Sequence, residues 1–99
     1  MQLTFTGDIW YWRGPSPYYF VTVPDEQAGY LHEVSAAVSY GWGMIPATVR
    51  VGSTDFSTSL FPKNGGYIVP VKDAVRDALE LDVEDVVSID LTVEQRRRR

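Results

Sequence analysis

The sequence of 99 residues predicts a mainly β fold, a small barrel of about six strands capped by two short helices. Three observations point there. Apolar and polar residues alternate with a period of two along most of the chain. Only two short segments switch to three- and four-residue spacing. The pattern Tyr19-Phe20-Val21-Thr22-Val23, then a helix, then a strand over 47–51 returns 48 positions later as Tyr67-Ile68-Val69-Pro70-Val71, a helix and a strand over 86–93. Two such units, with a connecting hairpin and a leading strand, would close a barrel with a helix at each end.

The leading strand is expected over 3–12, where Leu3, Phe5, Ile9 and Tyr11 alternate with Thr4, Thr6, Asp8, Trp10 and Trp12. Arg13-Gly14-Pro15-Ser16-Pro17 reads as a loop, because proline cannot donate to a strand ladder. Tyr18 to Val23 is dense in aromatic and β-branched residues and forms the second strand, closed by Pro24. Asp25 and Glu26 then place acid where it complements a helix dipole, and Ala28, Leu31, Val34, Ala37 and Val38 mark one buried stripe on a helix over 25–39. Gly41-Trp42-Gly43 stops that helix.

A hairpin follows. Ala47, Val49 and Val51 turn at Gly52-Ser53 into Phe56, Thr58 and Leu60. A second turn is expected over Pro62-Lys63-Asn64-Gly65-Gly66, since Asn-Gly favours positive φ, and Tyr67 to Val71 is the next strand. A helix over 72–81 would bury Ala74, Val75, Ala78 and Leu79. Val87, Ile89, Leu91 and Val93 alternate with Ser88, Asp90 and Thr92 in the last strand. The barrel is expected over 1–95, with 96–99 a basic tail.

The charge balance needs that division. Net charge is −4, but four of the nine basic residues are Arg96 to Arg99. Residues 1–95 therefore hold five basic against thirteen acidic residues, a net −8. Such a body repels phosphate backbones, which disfavours a nucleic-acid binder driven by charge. There is no cysteine, which removes disulfides as evidence about compartment. No segment approaches the ~18–20 apolar residues of a membrane helix. Met1-Gln2-Leu3-Thr4 lacks the basic-then-apolar pattern of a secretory signal, so a cytoplasmic location and no membrane partner are expected.

Ser59-Leu60-Phe61-Pro62, Gly65-Gly66-Tyr67, Pro70-Val71-Lys72 and Ala74-Val75-Arg76, with Phe20-Val21-Thr22 and Gly41-Trp42-Gly43, resemble the bacterial family catalogued as domain of unknown function 1905. The resemblance covers nearly the whole chain. It implies a double-split β-barrel capped by short helices, and it implies no activity. Residues 66–91 are also similar to the swapped-hairpin unit of AbrB and MazE-type regulators, which bind DNA as dimers through basic hairpin residues. In this chain the body is acidic, and the turn that usually carries Gly-Asp reads Glu84-Asp85. Fold likeness does not transfer function.

No catalytic constellation stands out. His32, the only histidine, falls mid-helix away from the apolar stripe and is expected to be solvated, and no Gly-x-Ser-x-Gly elbow surrounds Ser57 or Ser59. Asp82, Glu84, Asp85 and Asp90 lack calcium-loop spacing, so no metal is assigned, and no cofactor is implied.

The candidate ligand-binding residues are Trp10, Trp12, Trp42, Ser59, Lys63, Tyr67, Lys72 and Arg76. Trp10 and Trp12 share the polar face of the first strand, where two large rings either form a binding surface or are covered by another element. Trp42 poses the same choice in a glycine-flanked loop. Lys72 and Arg76 lie one turn apart on the second helix, either salt-bridged to Asp73, Asp77 and Glu80 or forming an anion site beside the Ser59–Tyr67 segment. The function expected is a noncatalytic module, monomer or homodimer, that binds a small anionic or aromatic ligand or a protein partner. An AbrB-like nucleic-acid-binding regulator and an enzyme of unknown class are the alternatives.

Overall fold

The computed structural model describes residues 1–13, 18–41 and 43–94. The strands are β1 (Gln2–Trp12), β2 (Tyr18–Thr22), β3 (Ile45–Val51), β4 (Thr54–Lys63), β5 (Gly66–Val71) and β6 (Val86–Thr92). Helix α1 (Asp25–Val38) joins β2 to β3, and α2 (Asp73–Leu79) joins β5 to β6. The strands close into a barrel in the order β1-β2-β5-β4-β3-β6, every pair antiparallel. The element order and closed barrel are those the alternation predicts. Trp42, the loop positions 14–17 and the tail lie outside the described residues.

Two long strands make the closure. β1 pairs with β6 through Gln2–Asp8 and with β2 through Ile9–Trp12. β4 pairs likewise with β3 through Thr54–Leu60 and with β5 through Phe61–Lys63. Each thus divides its length between two neighbours, which is the double split. Where β1 changes partner it runs close to β2, and a Cβ on Gly7 would stand 2.7 Å from Val21 Cγ1.

The repeat is real in the topology. Exchanging β1-β2-α1-β3 with β4-β5-α2-β6 leaves the pattern of strand neighbours unchanged. It also preserves register. Val21 faces Val69 across β2 and β5, and Val49 faces Leu91 while Val51 faces Ile89 across β3 and β6. A pseudo-twofold axis therefore passes through the barrel wall at the Val21/Val69 pair and again at the Arg50/Asp90 pair. Because β2 and β5 are antiparallel, the helices that follow them leave from opposite barrel ends.

Inside, alternate residues fill the lumen. Phe5, Ile9, Val21, Ile45, Val49, Leu60, Val69, Ile89 and Leu91 are all buried, joined by Leu31 of α1 and Val75 of α2. Apolar area removed from water stabilises by roughly 25 cal/mol per Å², so this packed interior is the main source of stability. An enzyme built on Ser59 or Tyr67 meeting Lys72 in a barrel cavity would need space that these side chains occupy.

Several expectations change. β4 runs on through Pro62 to Lys63, so the second turn shrinks to Asn64 and Gly65, both at positive φ (52° and 79°) as a tight hairpin turn requires. Helix α1 ends at Val38 and leaves Ala37 exposed. Helix α2 spans Asp73–Leu79, with Ala74 and Ala78 exposed and only Val75 buried. A methyl group does not reach the barrel mouth from this short helix, and the long stem of Arg76 covers apolar surface in its place.

Candidate functional site

The outer face of β1 begins polar, with Thr4, Thr6 and Asp8, and turns aromatic at Trp10 and Trp12. Their cross-strand partners are Phe20 and Tyr18 on β2. Side chains on one sheet face alternate, so these four necessarily point the same way, outward. Phe61 of β4 joins them across β5. The result is a cluster centred on Phe20, whose ring lies 5.2 Å from Trp10, 6.3 Å from Trp12, 6.0 Å from Tyr18 and 6.0 Å from Phe61. Phe20 is only 3% exposed although it sits on the outside of the barrel. Its neighbours stay open, with Trp12 46% and Phe61 40% exposed.

Above Phe20 the rings leave a cavity of about 180 Å³, lined by Trp10, Trp12, Phe20, Phe61, Lys63 and Ile68 with Pro62 at its side. Trp10 Nε1 donates to Thr22 Oγ1 at 2.9 Å, which fixes that indole and uses its donor. Trp12 has no such bond among the described residues and keeps its N–H available. Lys63 brings the one cation to the lining, and it makes no ion pair among the described residues. No residue of either helix lines this cavity. Both tryptophans pack on the ring of Phe20, which in turn meets that of Phe61.

The other candidate residues go elsewhere. Ser59, on the outer face of β4, hydrogen-bonds the hydroxyl of Tyr40. Tyr67 is buried, with its ring 5.1 Å from that of His32. His32, expected to be merely solvated, also reaches the carbonyl of Gly65 through Nε2 at 2.8 Å, so it ties α1 to the β4–β5 turn. Nothing in its sequence neighbourhood signals this, because Gly65 is 33 positions away.

Lys72 stands at the N-cap position of α2 without a side-chain capping bond and is exposed. The Arg76 guanidinium lies 3.5 Å over the ring of Tyr19 and meets Asp73 at 3.3 Å. Its Nε is buried with no hydrogen-bond partner among the described residues, so the ring face and Asp73 compensate the cation. Lys72 and Arg76 thus do not converge on Ser59 and Tyr67.

The remaining basic side chain of the wall, Arg50, forms a two-point ion pair with Asp55 at 2.6 and 3.1 Å. The hydrogen bond and charge of Asp55 raise the Arg50 pKa, and the hydrogen bond from Arg50 lowers that of Asp55.

A wider trough of about 630 Å³ lies between the end of α1 and the outer faces of β3 and β4, lined by Tyr40, Thr48, Ser57, Thr92 and Glu94 among others. It is larger, but Tyr40, Thr48, Ser57, Thr58, Thr92 and Glu94 set polar groups among its apolar lining residues Ala37, Val38, Pro46 and Ala47. Groups already hydrated gain little on binding, whereas apolar surface leaving water gains in proportion to its area. The aromatic cavity is therefore the stronger candidate. Among the described residues no His, Cys, Asp or Glu cluster could hold a metal, and no helix is long and apolar enough to cross a membrane.

A family model described as Domain of unknown function (DUF1905) matches residues 5–91, from within β1 to within β6. No curated protein matches the sequence.

Proposed function

Because the chain belongs to the DUF1905 family, a membership that carries no activity, we propose its function from the groove itself: a noncatalytic module that binds a small ring-bearing ligand on the outer face of the barrel. The supporting observation is Phe20, a buried aromatic floor on the outer face of the barrel, walled by open rings around about 180 Å³. Clustered exposed aromatics on a stable barrel mark interaction sites more often than scattered ones do. The volume is below the ~300–1,000 Å³ of pockets that enclose drug-sized molecules, so the groove suits a single ring. The filled lumen leaves the outer wall as the surface that can receive it.

The test is a fragment screen by NMR on the full chain, following the indole N–H signals of Trp10 and Trp12 and the amides of Phe61 and Ile68. Ring-bearing fragments are expected to move these signals together, and Trp12→Ala and Phe61→Ser to abolish the response while leaving the fold intact. Hits that move only the Tyr40–Glu94 trough, or a library without hits, would refute the proposal. A groove that responds only to proteins would replace the small ligand with a macromolecular partner.

A further inference from the structure

The groove lies on the pseudo-twofold axis, and its lining residues are related in pairs by it. The exchange that places Val21 on Val69 places Phe20 on Ile68. Through the β1–β2 and β4–β5 registers it then places Trp10, partner of Phe20, on Phe61, partner of Ile68. It likewise places Trp12, partner of Tyr18, on Lys63, partner of Gly66. The first two pairs keep an apolar character on both sides of the axis. The third does not: one end of the groove is an indole and the other an ammonium.

We infer that this broken symmetry gives the bound ligand a direction, and that the ligand is a small single-ring aromatic carboxylate, its ring over Phe20 between Trp10 and Phe61 and its carboxylate at Lys63. The inference rests on the proposed ring-binding role of the groove. A ring fits the volume and the aromatic walls. The cavity by itself would also suit a cation, since aromatic faces attract one. Lys63 in the lining opposes a cation at close range and favours an anion, and no described acidic residue neutralises it. The net −8 of residues 1–95 acts at longer range and is screened at physiological salt, where the Debye length is about 8 Å. The contact at Lys63 survives that screening.

The experiment compares phenylacetate with phenylacetamide, which share ring and shape, by NMR titration of the full chain at about 0.15 M salt. Both are expected to shift Trp10, Trp12, Phe61 and Ile68. The acid is expected to bind up to about fivefold more tightly, the range of a solvent-exposed ion pair. Lys63→Met should erase the difference without weakening the amide, and Lys72→Met, at an exposed cation outside the groove, should preserve it. Equal binding of the two probes, or a preference for the acid that persists in Lys63→Met, would overturn the carboxylate assignment and leave the ring-binding role standing. Silence of the groove toward both probes also overturns it, and the fragment screen then decides separately whether the groove binds rings at all.

Discussion

The guanidinium of Arg76 lies 3.5 Å over the ring of Tyr19, and the equivalent tyrosine of the other half, Tyr67, is met by His32. Each tyrosine is thus covered by the helix of the opposite repeat. Helix α2 holds Tyr19 of β2, and α1 holds Tyr67 of β5. The two halves interlock at these contacts, which places Arg76 in the stability of the barrel.

Arg76→Ala is expected to destabilise the protein by about 1–2 kcal/mol, the range of a cation–π contact largely shielded from water. Asp73→Asn should cost less than about 0.5 kcal/mol, because Asp73 is 84% exposed and the pair is a single-turn helix contact. A double-mutant cycle of Arg76→Ala with Tyr19→Leu, measured by denaturant unfolding, should show coupling. Additive losses would remove the ring from the account.

Gly7→Ala is expected to cost about 1–3 kcal/mol, because the new Cβ would meet Val21 Cγ1 at 2.7 Å in a packed wall. The relief should be specific. In Gly7→Ala with Val21→Ala the combined loss is expected to fall short of the sum of the single losses, whereas full additivity would point to backbone conformation instead.

The Arg50–Asp55 pair carries a pH signature. Asp55 has its pKa lowered in the folded state, so its contribution is present above the ordinary carboxylate pKa and disappears as pH falls through the lowered folded value. Asp55→Asn should therefore unfold more readily than the parent near neutrality, and the gap should close in acid. Both side chains are about half exposed, so the gap should also shrink in high salt. A gap that is constant from neutral pH to acid would exclude charge as its origin.

The aromatic face should separate stability from binding. Phe20→Ala is expected to cost about 3–5 kcal/mol, as for a buried core ring. Trp12→Ala and Phe61→Ser, at open positions, should stay within about 1 kcal/mol while abolishing fragment binding. Thermal unfolding beside the NMR titration reads both quantities. If Phe61→Ser destabilises as much as Phe20→Ala, the cluster is an external core rather than a groove.

Much of the barrel was legible in the chain. A strand exposes successive side chains on opposite faces, so Leu3, Phe5 and Ile9 announce the inner face of β1, and Trp10 and Trp12 its outer face, with no knowledge of their neighbours. The repeat was visible too, in Tyr19-x-Val21-x-Val23 and Tyr67-x-Val69-x-Val71. Helix α2 is less legible. Its spacing favoured Ala74 and Ala78, while the long Arg76 side chain reaches Tyr19, a contact set by how far each side chain extends rather than by periodicity.

Local spacing and composition are enough to set the elements, their inner and outer faces, and the contrast between an acidic body and a basic end. Which outer residues meet depends on how the strands pair. Phe20 and Phe61 are 41 positions apart and lie on strands that both flank β5, so their contact exists only once β2 and β4 have each paired with it. The same pairing sets Lys63 opposite Trp12 about the axis and withdraws Arg76 to Tyr19. Strand alternation fixes which way a side chain points, and the order and register of strands fix what it finds there.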